Sequence, residues 1–95
     1  MDAPPSKYRV KLTKTSQKDY ESIRDEKLRR GVNRILDQIA ENPYQFKKLS
    51  GPLCHLRTAK TFSFRIIYQI EENGELVVWV MGIGNRKEIY KRLGL

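Results

Sequence analysis

Residues 62–84 read FSFRIIYQIEENGELVVWVMGIG, and the fold turns on them. Phe62, Phe64, Ile66, Tyr68 and Ile70 alternate with Ser63, Arg65, Ile67 and Gln69, the period of two that places one set of side chains on a core and the other on a second face. Leu76–Ile83 is almost continuously apolar, as in a central strand buried on both faces. Glu72-Asn73-Gly74 between the two runs predicts a hairpin turn, because Asn-Gly supplies the positive φ that such turns demand.

Working outward, Gly84-Asn85 ends the last strand, and Arg86–Leu93 is expected to form a short closing helix. Upstream, Leu53–Thr58 is expected to add a third strand, preceded by a turn at Gly51-Pro52 and a connecting segment over Pro43–Ser50. Leu28, Val32, Ile35, Leu36 and Ile39 recur at helical spacing, which predicts an amphipathic helix capped by Asp25 and stopped near Glu41 by Asn42-Pro43. A shorter helix is expected from Thr15-Ser16 to about Ile23, with Ser16 and Asp19 in the positions of a capping box and Tyr20 and Ile23 turned inward. The two helices would form a hairpin. Tyr8, Val10 and Leu12 alternate with Arg9, Lys11 and Thr13 in an N-terminal strand.

These elements predict an α+β fold: an N-terminal strand, a helical hairpin, then an antiparallel sheet with a short C-terminal helix. The helices should cover one face of the sheet and leave the other partly open. Residues 1–7 read as a disordered leader and residues 8–95 as one domain.

The 95 residues carry a formal charge of +8. Excess Lys and Arg in a small domain suit a polyanion, most often nucleic acid, although an acidic protein partner or a merely solvated surface also accounts for it. No apolar run approaches the roughly 20 residues of a membrane span, and residues 1–7 lack the pattern of a signal peptide, so the expected location is cytoplasmic. Cys54 is the single cysteine and His55 the single histidine. Together they exclude an intrachain disulfide and fall short of a zinc site, which takes about four ligands. Gly82-Ile83-Gly84 lacks the third glycine of a dinucleotide site, no Walker-type phosphate loop is present, and nothing around His55 supports a catalytic triad. No metal or cofactor is expected.

What remains is a set of cations. Arg65 lies in mid-strand on the side of Ser63 and Ile67, where a charge must meet water, a carboxylate or a ligand. An ion pair across the sheet and plain exposure are the alternatives to a binding role. Arg86 and Tyr90 share a face of the closing helix at i, i+4, a pairing able to hold a phosphate and stack a base, or simply to start and anchor that helix. Arg57 and Lys60 can extend this basic face. Lys47, Lys48, Lys87, Lys91 and Arg92 read as exposed cations, with Glu88 and Arg92 at ion-pair spacing.

Leu56-Arg57, a gap, and then Phe64-Arg65-Ile66-Ile67-Tyr68 resemble the "LR … YRIIY" signature of the RelE/ParE toxin superfamily. Val80-Met81-Gly82-Ile83-Gly84-Asn85-Arg86-Lys87-Glu88-Ile89-Tyr90 is similar to its closing "GHR..VY" motif. Asn42-Pro43 and Lys48-Leu49-Ser50-Gly51 match its "NP…KL.G" stretch. The resemblance runs from Tyr8 to Leu93. It implies a toxin of a type II toxin–antitoxin pair, built on a fold like that of the small microbial ribonucleases, that cleaves mRNA in the ribosomal A site without a metal. The 2′-hydroxyl attacks the adjacent phosphate. Arg65 would stabilise the charge on the phosphorane, Arg86 would support the phosphate or leaving oxygen, and Tyr90 would stack or orient the base. Lys60 joins them as a catalytic candidate, with Arg57, Lys48 and Lys87 as substrate-binding cations. The best-known pattern has a lysine base in the strand before Arg65. Here Arg57 and Lys60 are the cations of that region, and arginine is a poor base because its pKa exceeds about 12. The base is therefore Lys60, His55, Glu88, water or a ribosomal group. The resemblance also implies a cognate antitoxin, a toxin–antitoxin hetero-oligomer and, as the alternative activity, non-enzymatic inhibition of DNA gyrase as in the ParE branch.

Overall fold

The computed structural model describes residues 7–94, so all of the expected leader except Lys7 lies outside it. The elements are β1 (Arg9–Leu12), α1 (Lys14–Glu21), α2 (Glu26–Glu41), β2 (Lys47–Lys48), β3 (Leu56–Thr61), β4 (Phe64–Glu71), β5 (Val77–Asn85) and α3 (Arg86–Arg92). The strands form one sheet in the order β1-β5-β4-β3-β2. The α+β class is as expected, with two additions. β1 pairs with β5 in parallel, so the sheet is mixed. Lys47–Lys48, read as connection, forms a short edge strand on β3.

The apolar stripe of α2 packs Val32 and Ile39 on Ile66, Tyr68, Val78, Val80 and Ile83, with Ile23 and Ala59 in the same cluster. α1 lies over β5 and α2 over β3. The Tyr20 hydroxyl donates to Asn33 Oδ1 and the Arg29 guanidinium to the Ile23 carbonyl, which ties the helical hairpin together. Tyr68 is fully buried, with its hydroxyl donating to the Pro43 carbonyl, and burial pushes its pKa up to about 12. That bond fixes the chain where α2 stops.

Four local expectations change. The strand expected at Leu53–Thr58 runs Leu56–Thr61, because Gly51–Leu53 turns as a short 3-10 helix, and Phe62, expected inside the β4 alternation, lies exposed in the turn before Phe64. The cap of α1 is Thr13, whose hydroxyl accepts from the Ser16 N–H, so the helix begins ahead of Thr15-Ser16. Ser16 is buried instead, its hydroxyl donating to the Val80 carbonyl. Asp19 accepts the Ile83 N–H at 3.1 Å. β1 stops opposite Val80, and these α1 side chains take over the β5 edge beyond it, since buried backbone groups need partners. In the β4–β5 connection, Gly74 alone carries a positive φ (+81°), and pairing resumes only at Glu71↔Val77. The loop is too long to need the two consecutive positive φ values of a tight Asn-Gly turn.

The second face of the sheet is less open than its sequence suggests. α3 and the segment after β2 cover part of it, burying Leu56, Ile67 and Ile89, with Leu49, Leu53, Tyr90 and Leu93 packed around them. Gly82 and Gly84 permit this close approach, because a Cβ at either would stand 3.1–3.3 Å from the Ile89 side chain. The glycines therefore seat a helix on a strand.

At the far end of the sheet the Tyr8 hydroxyl donates to Glu72, joining the start of the fold to the β4–β5 loop. Hydrogen bonds from Tyr8 and Tyr44 hold the Glu72 carboxyl below its ordinary range. A depressed carboxyl contributes stability above its unfolded pKa and loses it as pH falls through the folded one. Wild-type chain is thus expected to lose unfolding free energy more steeply than Tyr8→Phe as pH drops below about 4.5, which urea titrations at a series of pH values would read. Parallel pH dependences would refute this role for Tyr8.

Candidate active site

On the α3 side of the sheet, a cleft of about 440 Å³ is lined by Lys47, Lys48, Leu49, Ser50, Thr58, Arg65, Arg86 and Tyr90. Four segments meet there. β3 supplies Thr58, β4 supplies Arg65, α3 supplies Arg86 and Tyr90, and the strand β2 with its following turn supplies Lys47 to Ser50. α3 is set by Asn85, whose side chain caps the Glu88 N–H at 2.9 Å, and it ends where Gly94 takes a φ of +78°. Both are ordinary helix-end devices, and they place Arg86 in the first turn with Tyr90 one turn later.

Two guanidiniums lie against the Tyr90 ring. Arg65 Cζ is 5.8 Å and Arg86 Cζ 5.5 Å from its centroid, distances at which a ring quadrupole attracts a cation. Neither arginine has a carboxylate within ion-pair distance among the described residues. Arg65 Nε and Thr58 Oγ1, both on the cleft wall, are buried and lack a hydrogen-bond partner in the protein. Leaving such atoms unsatisfied is costly. A cleft with four cations, no lining carboxylate and two orphaned polar atoms is complementary to an anion.

The cations named from sequence divide between this cleft and other places. Arg65, Arg86, Tyr90 and Lys48 come together in it. Lys60 stands directly opposite Arg65 in the β3–β4 register, exposed on the same face beside the cleft. Arg57 is turned away. It pairs with Tyr68, donates to the Phe46 carbonyl at 2.7 Å and the Tyr44 carbonyl at 3.3 Å, and lies 5.2 Å from the Tyr44 ring. It braces the chain between α2 and β2. Lys87 lines a separate hollow with Asn85, Glu88 and Lys91. His55 is exposed in the turn before β3, and neither it nor Glu88 lines the cleft. Arg92 pairs with Asp19, at 2.8 and 2.9 Å, rather than with Glu88. Lys47, Leu49, Ser50 and Thr58 are cleft residues that sequence reasoning did not assign to the site; β2–β3 pairing brings the first three to the cleft, and β3–β4 pairing brings Thr58 beside Arg65.

The model of the ParE toxin of type II toxin–antitoxin systems matches residues 10–90, nearly the whole chain. Solved structures agree in fold. A mutant of the E. coli toxin RelE in the free state is 23% identical, with a TM-score of 0.72 over 88% of this chain and 90% of that one. The RelBE2 toxin–antitoxin complex of Mycobacterium tuberculosis contains a chain 20% identical, with a TM-score of 0.70 over 83% and 98%. The YoeB dimer of Staphylococcus aureus gives 17% identity and a TM-score of 0.66 over 80% and 93%. No curated protein sequence matches. Among the described residues no helix is long and apolar enough to cross a membrane. The mixed sheet, its helical hairpin and the span of the match from β1 to α3 make this chain a member of the ParE toxin family of type II toxin–antitoxin systems, within the RelE/ParE superfamily.

Proposed function

We propose that the chain is a ribosome-dependent endoribonuclease that cuts mRNA in the A site and so stops translation in the cytoplasm. The observation that carries this reading is the carboxylate-free cleft in which Arg65 and Arg86 both lie against Tyr90. Preorganised cations in a partly desolvated cleft favour the charge that builds on a phosphorane as the 2′-hydroxyl attacks. Arg65 takes the equatorial oxygens, Arg86 the phosphate or leaving oxygen, and the Tyr90 ring offers its free area to a base. Lys47 and Lys48 on the cleft wall bind the flanking phosphates. Arg57 and Lys87 have no direct part in this scheme. Among the groups considered as general base, Lys60 has the nearest position to Arg65, while His55 and Glu88 stand off the cleft. A cognate antitoxin holding the toxin in a hetero-oligomer completes the reading, by likeness to the toxin–antitoxin complexes that share the fold.

A second reading, inhibition of DNA gyrase without catalysis, draws on the ParE description of the matching family model. Toeprinting of a defined mRNA in a translating extract separates the two. Cuts at A-site codons are expected. Continued translation, with gyrase stalled on DNA in a parallel supercoiling assay, would replace the first reading by the second.

A further inference from the structure

A second basic hollow, of about 360 Å³, lies on the helical side of the molecule between α2 and the β3–β4 turn. It is lined by Lys27, Arg30, Arg34, Ile35, Thr61 and Phe62, with Gly31 at its floor. Lys27, Arg30 and Arg34 follow one side of α2 at three- and four-residue steps. All three are exposed. Among the described residues, their one ion pair is Arg30–Glu26 at 3.6 Å, largely exposed, which is worth little.

Phe62 is the unusual member. Thr61 pairs with Phe64, so Phe62-Ser63 is a two-residue hairpin turn. Its first position carries a φ of +53°, a place where glycine is the ordinary occupant and where a bulky side chain is strained. The ring is nevertheless 62% exposed, so core burial does not explain it. α2 is shaped to receive the turn. A Cβ on Gly31 would stand 2.5 Å from Thr61 Oγ1 and 2.9 Å from the Phe62 ring. A glycine in mid-helix and an aromatic residue in a left-handed turn are each unfavourable locally. Together they hold a solvent-facing ring beside three cations.

We infer that this hollow binds single-stranded RNA, a base stacking on Phe62 and the adjoining phosphates lying on Arg30, Arg34 and Lys27. An aromatic platform beside a cationic track is the chemistry that holds single strands without sequence preference. Lys60 sits just before the same turn and faces Arg65 on the other side of the sheet. One strand passing around the β3–β4 tip would thus touch both the hollow and the cleft. The inference deepens the RNA-cleaving reading and rests on it for the identity of the strand as mRNA.

The test uses the full chain and a fluorescein-labelled oligouridylate followed by anisotropy. Phe62→Gly relieves the turn and keeps the chain folded, which circular dichroism checks. It is expected to weaken binding about tenfold. Arg30→Ala with Arg34→Ala should make the dependence of log affinity on log salt shallower by about 1.4. In ribosome-dependent cleavage, Phe62→Gly should raise KM and leave kcat in place. Unchanged oligouridylate affinity in folded Phe62→Gly overturns the inference. So does equal binding of a labelled oligoglutamate with the same sensitivity to Phe62, which would mark a surface for an acidic polypeptide. Absence of any cleavage by the wild type, with Phe62-dependent oligouridylate binding retained, would instead remove the cleavage reading and leave this one standing.

Discussion

Arg65→Ala is expected to slow mRNA cleavage by about 10²–10³-fold, the loss seen when one preorganised donor to a developing oxyanion is removed. Arg65 projects from the second position of β4, its Nε buried and unpartnered, its guanidinium against Tyr90. A structural arginine in this position would be paired, as Arg92 is with Asp19. Because no carboxylate compensates it, Arg65 should cost the fold stability rather than contribute it. Arg65→Leu is therefore expected to melt at the same temperature as the wild type or higher while cleaving as poorly as Arg65→Ala. Arg65→Lys should recover little, since an ammonium on a flexible stem reproduces neither the planar fork nor its stacking on Tyr90. Single-turnover cleavage on programmed ribosomes, beside thermal melts, reads both quantities. Cleavage by Arg65→Ala within threefold of the wild type would remove Arg65 from the chemistry.

The largest stability effect is expected at Asp19, far from the cleft in sequence. Its carboxylate accepts the Ile83 N–H and both terminal nitrogens of Arg92, joining α1, β5 and α3. The Asp19 side chain is 12% exposed and that of Arg92 40%. Hydrogen bonding to Asp19 raises the Arg92 pKa further above its ordinary value. Asp19→Ala leaves Ile83 N–H and a half-buried guanidinium without a partner, which costs about 2–4 kcal/mol. Arg92→Ala removes one half-exposed partner and leaves the backbone bond, so about 1 kcal/mol is expected. Urea unfolding of the two variants checks the order. Equal losses would mean that the Ile83 bond contributes nothing. Asp19→Ala should also lower cleavage, because α3 carries Arg86 and Tyr90. That loss should recover when stabilising osmolyte is added, whereas the Arg65→Ala loss should not.

Much of the molecule was legible before any tertiary contact was known. The stripe on α2, the alternation in β4 and the apolar run of β5 each hide one set of side chains at a fixed period, and a period is a local property. The stop at Asn42-Pro43 is local too, because proline restricts the residue before it. Thr13 was missed as a helix cap because several hydroxyls stand in succession there, and only the β5 edge draws Ser16 and Asp19 away to Val80 and Ile83.

The site divides along the same line. Arg65 was readable as a charge in a strand, and Arg86 with Tyr90 as an i, i+4 pair. Whether Arg57 or Lys60 joins them depends on the β3–β4 turn. With Phe62-Ser63 as the turn, Lys60 faces Arg65 and Arg57 faces Tyr68. A turn one residue longer would exchange their faces, since side chains alternate with a period of two. Lys47 reaches the cleft only because β2 pairs with β3, and Thr58 only because β3 pairs with β4. The sequence by itself determined the two long helical and strand patterns, α2 and the β4–β5 pair, and that a basic surface exists. Tertiary structure alone decided which cations share a cleft, because register and strand pairing are set by contacts between distant segments.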